Sequence, residues 1–301
     1  MWETFKAFCA ERDMMLLGKE PMSKHTSFKI GGPADFYALP STVDDLQALL
    51  QKAAELSIPY TVIGNGSNLL VSDRGVEGVV ICLTGLKGIT VSEQEITCGA
   101  GVLLSTLCME ALEHSLSGLE FAYGIPGTVG GALFMNAGAY GGEMRQVVSR
   151  ATVLFPDGRR QVFLQEEMAF NYRKSVFQEN GAIILDVTFL LVPGDKTEIK
   201  AHMETLLGKR KEKQPLEYPS AGSTFKRPEG YYAGALIEKN GLKGLRRGGA
   251  MVSEKHAGFV INAGGASCAD VLAVMKEVQQ TVWRQDGVML EPEVLLIGRK
   301  E

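Results

Sequence analysis

The decapeptide PSAGSTFKRP, residues 219–228, sets Ser223 directly after a glycine and just ahead of Lys226 and Arg227, in a loop fenced by two prolines. A nucleophilic serine needs a positioned base and, in α/β-hydrolases, the pattern G-x-S-x-G on a strand-to-helix elbow. AGSTF lacks that pattern, which leaves a hydrolase reading dependent on His256 approaching from elsewhere in the fold. The plainer reading is a hydroxyl that hydrogen-bonds within its own loop. A second stretch with chemical potential is GNGSN, residues 64–68, between YTVI and LLV. Its two glycines permit positive φ and leave amide hydrogens uncovered by β-carbons, so the loop reads equally as a phosphate nest or a hairpin turn. The chain runs on into LLVSD, which reads as strand, and a third glycine is missing, so a Rossmann fingerprint is not met. A third stretch, GIPGTVGGALFMNAGAYGG, residues 124–142, is dense in glycine and alanine, which predicts a close backbone approach, to a ligand or within a structural turn.

The remaining chemistry-bearing residue types are dispersed. Five cysteines, Cys9, Cys82, Cys98, Cys108 and Cys268, form no C-x-x-C pair, and the four histidines lack metal-ligand spacing. Buried, reduced thiols and no metal site are expected. The net charge of −4 supplies no global attraction to a nucleic-acid backbone. The N-terminus, MWETFKAFCAERD, lacks an apolar h-region, and no window reaches a membrane-spanning length of about 18 apolar residues. A cytoplasmic protein without membrane insertion or an obligate protein partner is expected.

The elements that must position these stretches follow from periodicity. Trp2, Phe5, Phe8 and Cys9 predict a short amphipathic helix; Ser41 or Thr42 caps a helix through Leu56 with Leu46, Leu49, Leu50 and Ala53 on one face. Strands are predicted at YTVI, GVVICL, GITVS and EITCGA, then a helix around Leu103 to His114. VVSRATVLFPDGRRQVFL predicts a hairpin about PDG, AIILDVTFLLVP a buried strand, and Asp195 to Lys213 a polar helix. Beyond it come a helix in AGALIEKNG, a strand in AGFVINA, a long helix capped by Ser267, and a last strand in EVLLIG.

Seven segments in order, TSFKIGGPADF, GNGSNLLV, GIPGTVGGALFMNAGAYGGE, NYRKS, PSAGSTFKRP, GAMVSEKHAGFVIN and LEPEVLLIG, resemble the bacterial UDP-N-acetylenolpyruvoylglucosamine reductases in their shorter form. The resemblance covers nearly the whole chain. It implies an α+β fold: a two-subdomain FAD-binding domain of the vanillyl-alcohol-oxidase (PCMH) type, then a smaller substrate-binding α+β domain. The corresponding boundaries are a lead-in over 1–28, the FAD-binding domain over 29–195 and the C-terminal domain over 196–301. The implied reaction is reduction of UDP-N-acetylenolpyruvoylglucosamine to UDP-N-acetylmuramate for peptidoglycan, with NADPH and non-covalent FAD.

By that resemblance Gly64, Asn65, Gly66, Ser67 and Asn68 hold the FAD pyrophosphate, while Gly127, Thr128, Gly130, Gly131 and Ala132, with Asn136, Ala137 and Gly138, line the flavin. Arg173 matches the family's arginine, whose planar fork grips a carboxylate as charge develops on it. Glu293 matches its glutamate; protonated by burial, or held beside Arg173, it hydrogen-bonds the same group. Ser223 matches the proton donor, with Lys226 stabilising a transient alkoxide. Tyr172, Lys213, Lys226 and Arg227 are assigned to the substrate. The longer form's extra tyrosine-bearing segment has no counterpart here, so no such role passes to Tyr218, Tyr231 or Tyr232. An oxygen-using FAD oxidoreductase and an idle sugar-nucleotide-binding protein are the rival readings.

Overall fold

The structure is a computed structural model and describes residues 1–300. Its contacts divide the chain into two compact units that are discontinuous in sequence. The first comprises Met1–Leu17, Phe36–Asn65 and Gly78–Arg210; the second comprises Gly18–Asp35, Gly66–Glu77 and Lys211–Glu301. Each has its own hydrophobic core.

In the first unit, helix Val43–Glu55 begins where Thr42 Oγ1 accepts the Asp45 amide at 3.0 Å, with Asp44 and Asp45 in the first turn, where the helix dipole favours negative charge. Leu46, Leu49, Leu50 and Ala53 recur at helical spacing and are buried. Strand Tyr60–Ile63 pairs in parallel with Val79 to Cys82. A five-stranded antiparallel sheet runs in the order Arg160–Leu164, Val148–Leu154, Ile183–Leu190, Glu95–Gly99, Ile89–Ser92. The 148–164 hairpin turns at the predicted PDG, where Gly158 takes φ +86° and its amide closes on Phe155 O at 2.9 Å.

In the second unit, helix Cys268–Asp286 starts from a capping box formed by Ser267 and Asp270 and stops at Gly287, which has φ +69°. Val271, Val274, Met275, Val278 and Val282 form its buried stripe. It accompanies an antiparallel sheet of Arg246–Arg247, Ala250–Val252 and Val260–Asn262, and a parallel pair of Leu69–Val71 with Leu295–Ile297.

Three features differ from the linear expectation. The division of contacts falls after Arg210, not after Asp195, because Ile199, Met203 and Leu206 of helix Lys196–Lys213 are buried in the first core. Phe28, Ile30 and Leu70 are buried in the second core, so residues 18–35 and 66–77 fold with the C-terminal part of the chain. Within the glycine-dense stretch, Val129–Phe134 is a short helix with Thr128 at its N-cap, an element that the composition did not predict.

All five cysteines are buried. Burial pushes the Cys9 thiol up to about 11 and the Cys98 thiol up to about 12, so both are protonated at neutral pH. Among the described residues, no helix is long and apolar enough to cross a membrane.

Candidate active site

In the first unit, Gly64 and Asn65 meet the glycine-dense segment. A β-carbon on Gly64 would stand 2.4 Å from Thr128 Oγ1, so only glycine fits there without displacing Thr128. The Asn65 side chain donates to Pro126 O at 3.0 Å. Gly127 O accepts the Leu104 amide at 3.0 Å, and Thr128 is buried, with its hydroxyl accepting the Gly131 amide at 3.4 Å. Close approach at Gly130 is to the chain itself: its amide donates to Ala100 O at 2.9 Å, and a β-carbon would lie 2.8 Å from Ala100 Cβ. Ala132 is buried behind it, whereas Gly131 is exposed. Ala137 and Gly138 are half-buried, and the Ala137 amide closes on Ala132 O at 2.8 Å.

Asn136 is fully buried, and its side chain joins segments of the protein to one another. Nδ2 donates to Glu143 Oε2 and to Asn171 O, both at 3.0 Å, and Oδ1 accepts the Arg145 amide at 3.0 Å. The residue predicted to line a cofactor is thereby tied to the turn carrying Arg173. That turn, Asn171 to Lys174, is closed by reciprocal backbone bonds of 3.0 and 3.1 Å. Arg173 adopts φ +53°, donates from Nη2 to Gly138 O at 3.0 Å, and lies 4.9 Å from the centroid of the exposed Tyr172 ring.

In the second unit, the chain following Gly66 and the PSAGSTFKRP loop come together. The Ser27 hydroxyl donates to Ser220 O at 2.7 Å and lies 3.3 Å from Ser67 O, while the Ser27 amide donates to Gly66 O at 3.3 Å. Asn68 Nδ2 donates to Glu293 O at 3.1 Å, and the Leu295 amide to Asn68 O at 2.9 Å. Thr224 is buried: its amide donates to Gly258 O at 2.9 Å, its hydroxyl accepts the Val260 amide at 2.9 Å, and its carbonyl accepts the Glu293 amide at 2.8 Å. The Lys226 amide donates to Glu291 O at 2.8 Å, and Phe225 pairs antiparallel with Pro292. The loop is therefore a two-sided strand segment, and Ser223 and Glu293 stand on paired chains.

Ser223 is exposed, and its hydroxyl bonds to no described residue. Glu293 is half-buried. Lys226 Nζ lies 3.3 Å from Glu291 Oε2, the Arg227 guanidinium sits 3.9 Å from the Tyr232 ring centroid, and Lys213 ends helix Lys196–Lys213, exposed. His256, the base a hydrolase would need, accepts the Gly258 amide on Nδ1 at 3.1 Å and packs edge-on against Phe259. Burial holds its pKa below the ordinary imidazole value. The side chains that the sequence did not reveal are Ser27, Thr224, Ser175 and Gln178; each acts on a partner distant in sequence, and no local pattern marks them.

The amides of residues 64–68 donate to no described residue. Backbone N–H groups with no acceptor inside the protein suit a diphosphate, which needs donors more than net charge. This donor set, in a chain of this fold, fits FAD. A profile of the FAD-binding domain matches residues 34–163, and the two-domain α+β FAD-binding fold with that match defines an FAD-dependent oxidoreductase. A profile described as the UDP-N-acetylenolpyruvoylglucosamine reductase C-terminal domain matches residues 214–297. The chain is 54% identical over 296 residues to the UDP-N-acetylenolpyruvoylglucosamine reductase of Agathobacter rectalis, covering 94% of each chain. It is 51% identical over 281 residues to the reductase of the same name from Caldanaerobacter subterraneus subsp. tengcongensis, covering 93% of each. The crystal structure of the Thermus caldophilus UDP-N-acetylenolpyruvylglucosamine reductase superimposes with a TM-score of 0.81 at 39% identity, over 94% of this chain and 98% of that one. The chain belongs to the UDP-N-acetylenolpyruvoylglucosamine reductase family, and its activity is a flavin-dependent reduction in peptidoglycan synthesis.

Proposed function

We propose that the protein reduces the enolpyruvyl ether of UDP-N-acetylenolpyruvoylglucosamine to UDP-N-acetylmuramate in the cytoplasm, with NADPH as hydride donor. No nucleic acid, membrane insertion or obligate protein partner takes part. Bound, non-covalent FAD supplies the hydride relay from NADPH to the enolpyruvyl methylene carbon. The amides of Gly64 to Asn68 take its diphosphate, and the segment Gly127 to Gly138 takes its ring system.

Hydride addition leaves an electron pair on the adjacent carbon, delocalised into the substrate carboxylate. Arg173 receives that charge: a planar guanidinium makes two parallel bonds to a carboxylate and strengthens them as charge grows. Glu293 donates a hydrogen bond to the same group while protonated. The Ser223 hydroxyl gives its proton to the carbanionic carbon, forming the new C–H bond, and the alkoxide so formed is reprotonated from solvent with Lys226 Nζ stabilising it. Serine is a weak acid, but a carbanion is a strong enough base to take its proton. Tyr172, Lys213, Lys226 and Arg227 serve the substrate, the cations facing its diphosphate.

The observation that carries this reading is the pairing of Thr224 with Glu293 through a 2.8 Å backbone bond, next to an exposed Ser223 whose hydroxyl is not engaged elsewhere. A two-stage flavin assay tests it. NADPH added anaerobically bleaches the yellow protein, and the enolpyruvyl sugar nucleotide then restores the colour. Reoxidation by oxygen alone, with the sugar nucleotide inert, overturns the proposal.

A further inference from the structure

The turn bearing Arg173 is held in a backbone state that a residue with a β-carbon disfavours. Arg173 has φ +53°, and left-handed conformations crowd Cβ against the carbonyl oxygen. The reciprocal Asn171–Lys174 bonds close the turn without selecting that state, since several turn types share such closure. Side chains outside the turn hold its backbone as well. Gln178 Nε2 donates to Arg173 O at 3.0 Å and to Phe134 O at 2.9 Å, with Met135 Sδ a longer contact at 3.7 Å. Both partners are carbonyl oxygens, so only the NH₂ end of the amide satisfies them. The Ser175 hydroxyl adds a 2.8 Å bond to Phe134 O, and Asn136 holds Asn171 O from the other side.

We propose that Gln178 is a positioning residue for Arg173: it bridges the Arg173 carbonyl to the 124–142 segment and so fixes the left-handed turn that aims the guanidinium. This rests on the reading of Arg173 as the group that meets the substrate carboxylate. Gln178 is exposed and belongs to neither hydrophobic core, so its replacement leaves the fold intact. Losing its two donors lets Arg173 relax toward negative φ, carrying Nη2 away from Gly138 O.

The test compares Gln178→Glu, which is isosteric but places a carboxylate against two carbonyls, with Gln178→Lys, whose ammonium can again donate to both. For Gln178→Glu, FAD content, melting temperature and the rate of flavin reduction by NADPH stay at the wild-type level. Reoxidation by the enolpyruvyl sugar nucleotide slows by about 10- to 100-fold, the order expected when a reacting group is misplaced by about 1 Å. Gln178→Lys recovers most of that loss. In the apoprotein, hydrogen exchange at the Lys174 amide quickens in Gln178→Glu and is restored in Gln178→Lys. Adding Gln178→Glu to Arg173→Ala slows reoxidation no further than Arg173→Ala alone. Equal loss in both half-reactions with a fall in melting temperature, or no loss in either, overturns the positioning role. Unimpaired reoxidation in Arg173→Ala instead removes the reading of Arg173 on which it rests.

Discussion

The Glu293 amide donates to the Thr224 carbonyl at 2.8 Å, which makes the chain of Ser223 and the chain of Glu293 two sides of one backbone ladder. Thr224 itself is buried and bonded on every polar atom, so the exposed serine beside it stands on a rigid support. The site's chemistry depends on separating what Ser223 does from what Thr224 holds.

Ser223→Ala leaves flavin reduction by NADPH at its wild-type rate and slows reoxidation by the enolpyruvyl sugar nucleotide by about 10²- to 10⁴-fold, the usual range for a lost proton donor. Stopped-flow absorbance of the two half-reactions checks this. Equal loss in both would show that the serine's contribution is structural.

Arg173→Lys retains the charge but loses the planar fork, and Arg173→Ala loses both. Removing one preorganised donor at developing charge costs about 10²- to 10³-fold in turnover, so both variants fall by at least that order while the half-reaction of flavin reduction by NADPH keeps its wild-type rate. Steady-state turnover at saturating sugar nucleotide reads the effect. A Lys variant at wild-type turnover would mean that charge alone suffices.

Thr224→Val keeps the shape of the buried side chain and removes the acceptor of the Val260 amide. An unpaired buried N–H costs about 1–3 kcal/mol, and the loop is loosened beneath Ser223. Urea denaturation measures the stability loss; a midpoint unchanged from wild type would show that the hydroxyl bears no such load.

Gly64→Ala places a β-carbon where 2.4 Å separates it from Thr128 Oγ1. The buried Thr128 has to move, and with it the cap of helix Val129–Phe134. The purified variant is expected to carry substoichiometric flavin while remaining folded, as read by visible absorbance beside far-ultraviolet circular dichroism. Full flavin occupancy would remove the loop from the cofactor site.

His256 supplies the pH dependence. Burial lowers its pKa in the fold, so the unfolded chain binds the proton more readily. Its contribution to stability is complete above the ordinary histidine value of about 6.5 and is lost as pH falls through the lower folded value. Protonation of Nδ1 also breaks the bond from the Gly258 amide, and Gly258 O is the acceptor of Thr224. Melting temperature therefore falls as pH drops below about 6.5 toward the lower folded value, and His256→Asn, which keeps an acceptor but cannot titrate, flattens that part of the profile. A parallel profile for the variant would assign the pH dependence elsewhere.

Much of the fold was legible because its signals are local. Thr42 and the Leu46, Leu49, Leu50, Ala53 stripe define a helix from within one window, as do Ser267 and its valines, and PDG defines a hairpin. The short helix Val129–Phe134 was not legible, since its two glycines read as loop and the capping by Thr128, with packing of Gly130 on Ala100, outweighs their poor propensity. The partition of the chain escaped a linear reading for a similar reason. Phe28, Ile30 and Leu70 look like any buried residues, and nothing near them states which core they enter.

By itself, the sequence determined residue types and their local geometry: a serine without the elbow of a hydrolase, a glycine loop with uncovered amides, an arginine and a glutamate in motifs of one family. Only the tertiary structure decided which of these are held and by what. Asn136 ties the glycine-dense segment to the Arg173 turn, Gly130 packs on Ala100, and His256 is a backbone acceptor. The physical reason is common to all three. A side chain's chemistry is set by its type, but its task is set by whichever donors, acceptors and neighbouring atoms the fold brings within reach, from two residues away for His256 to 35 for Asn136.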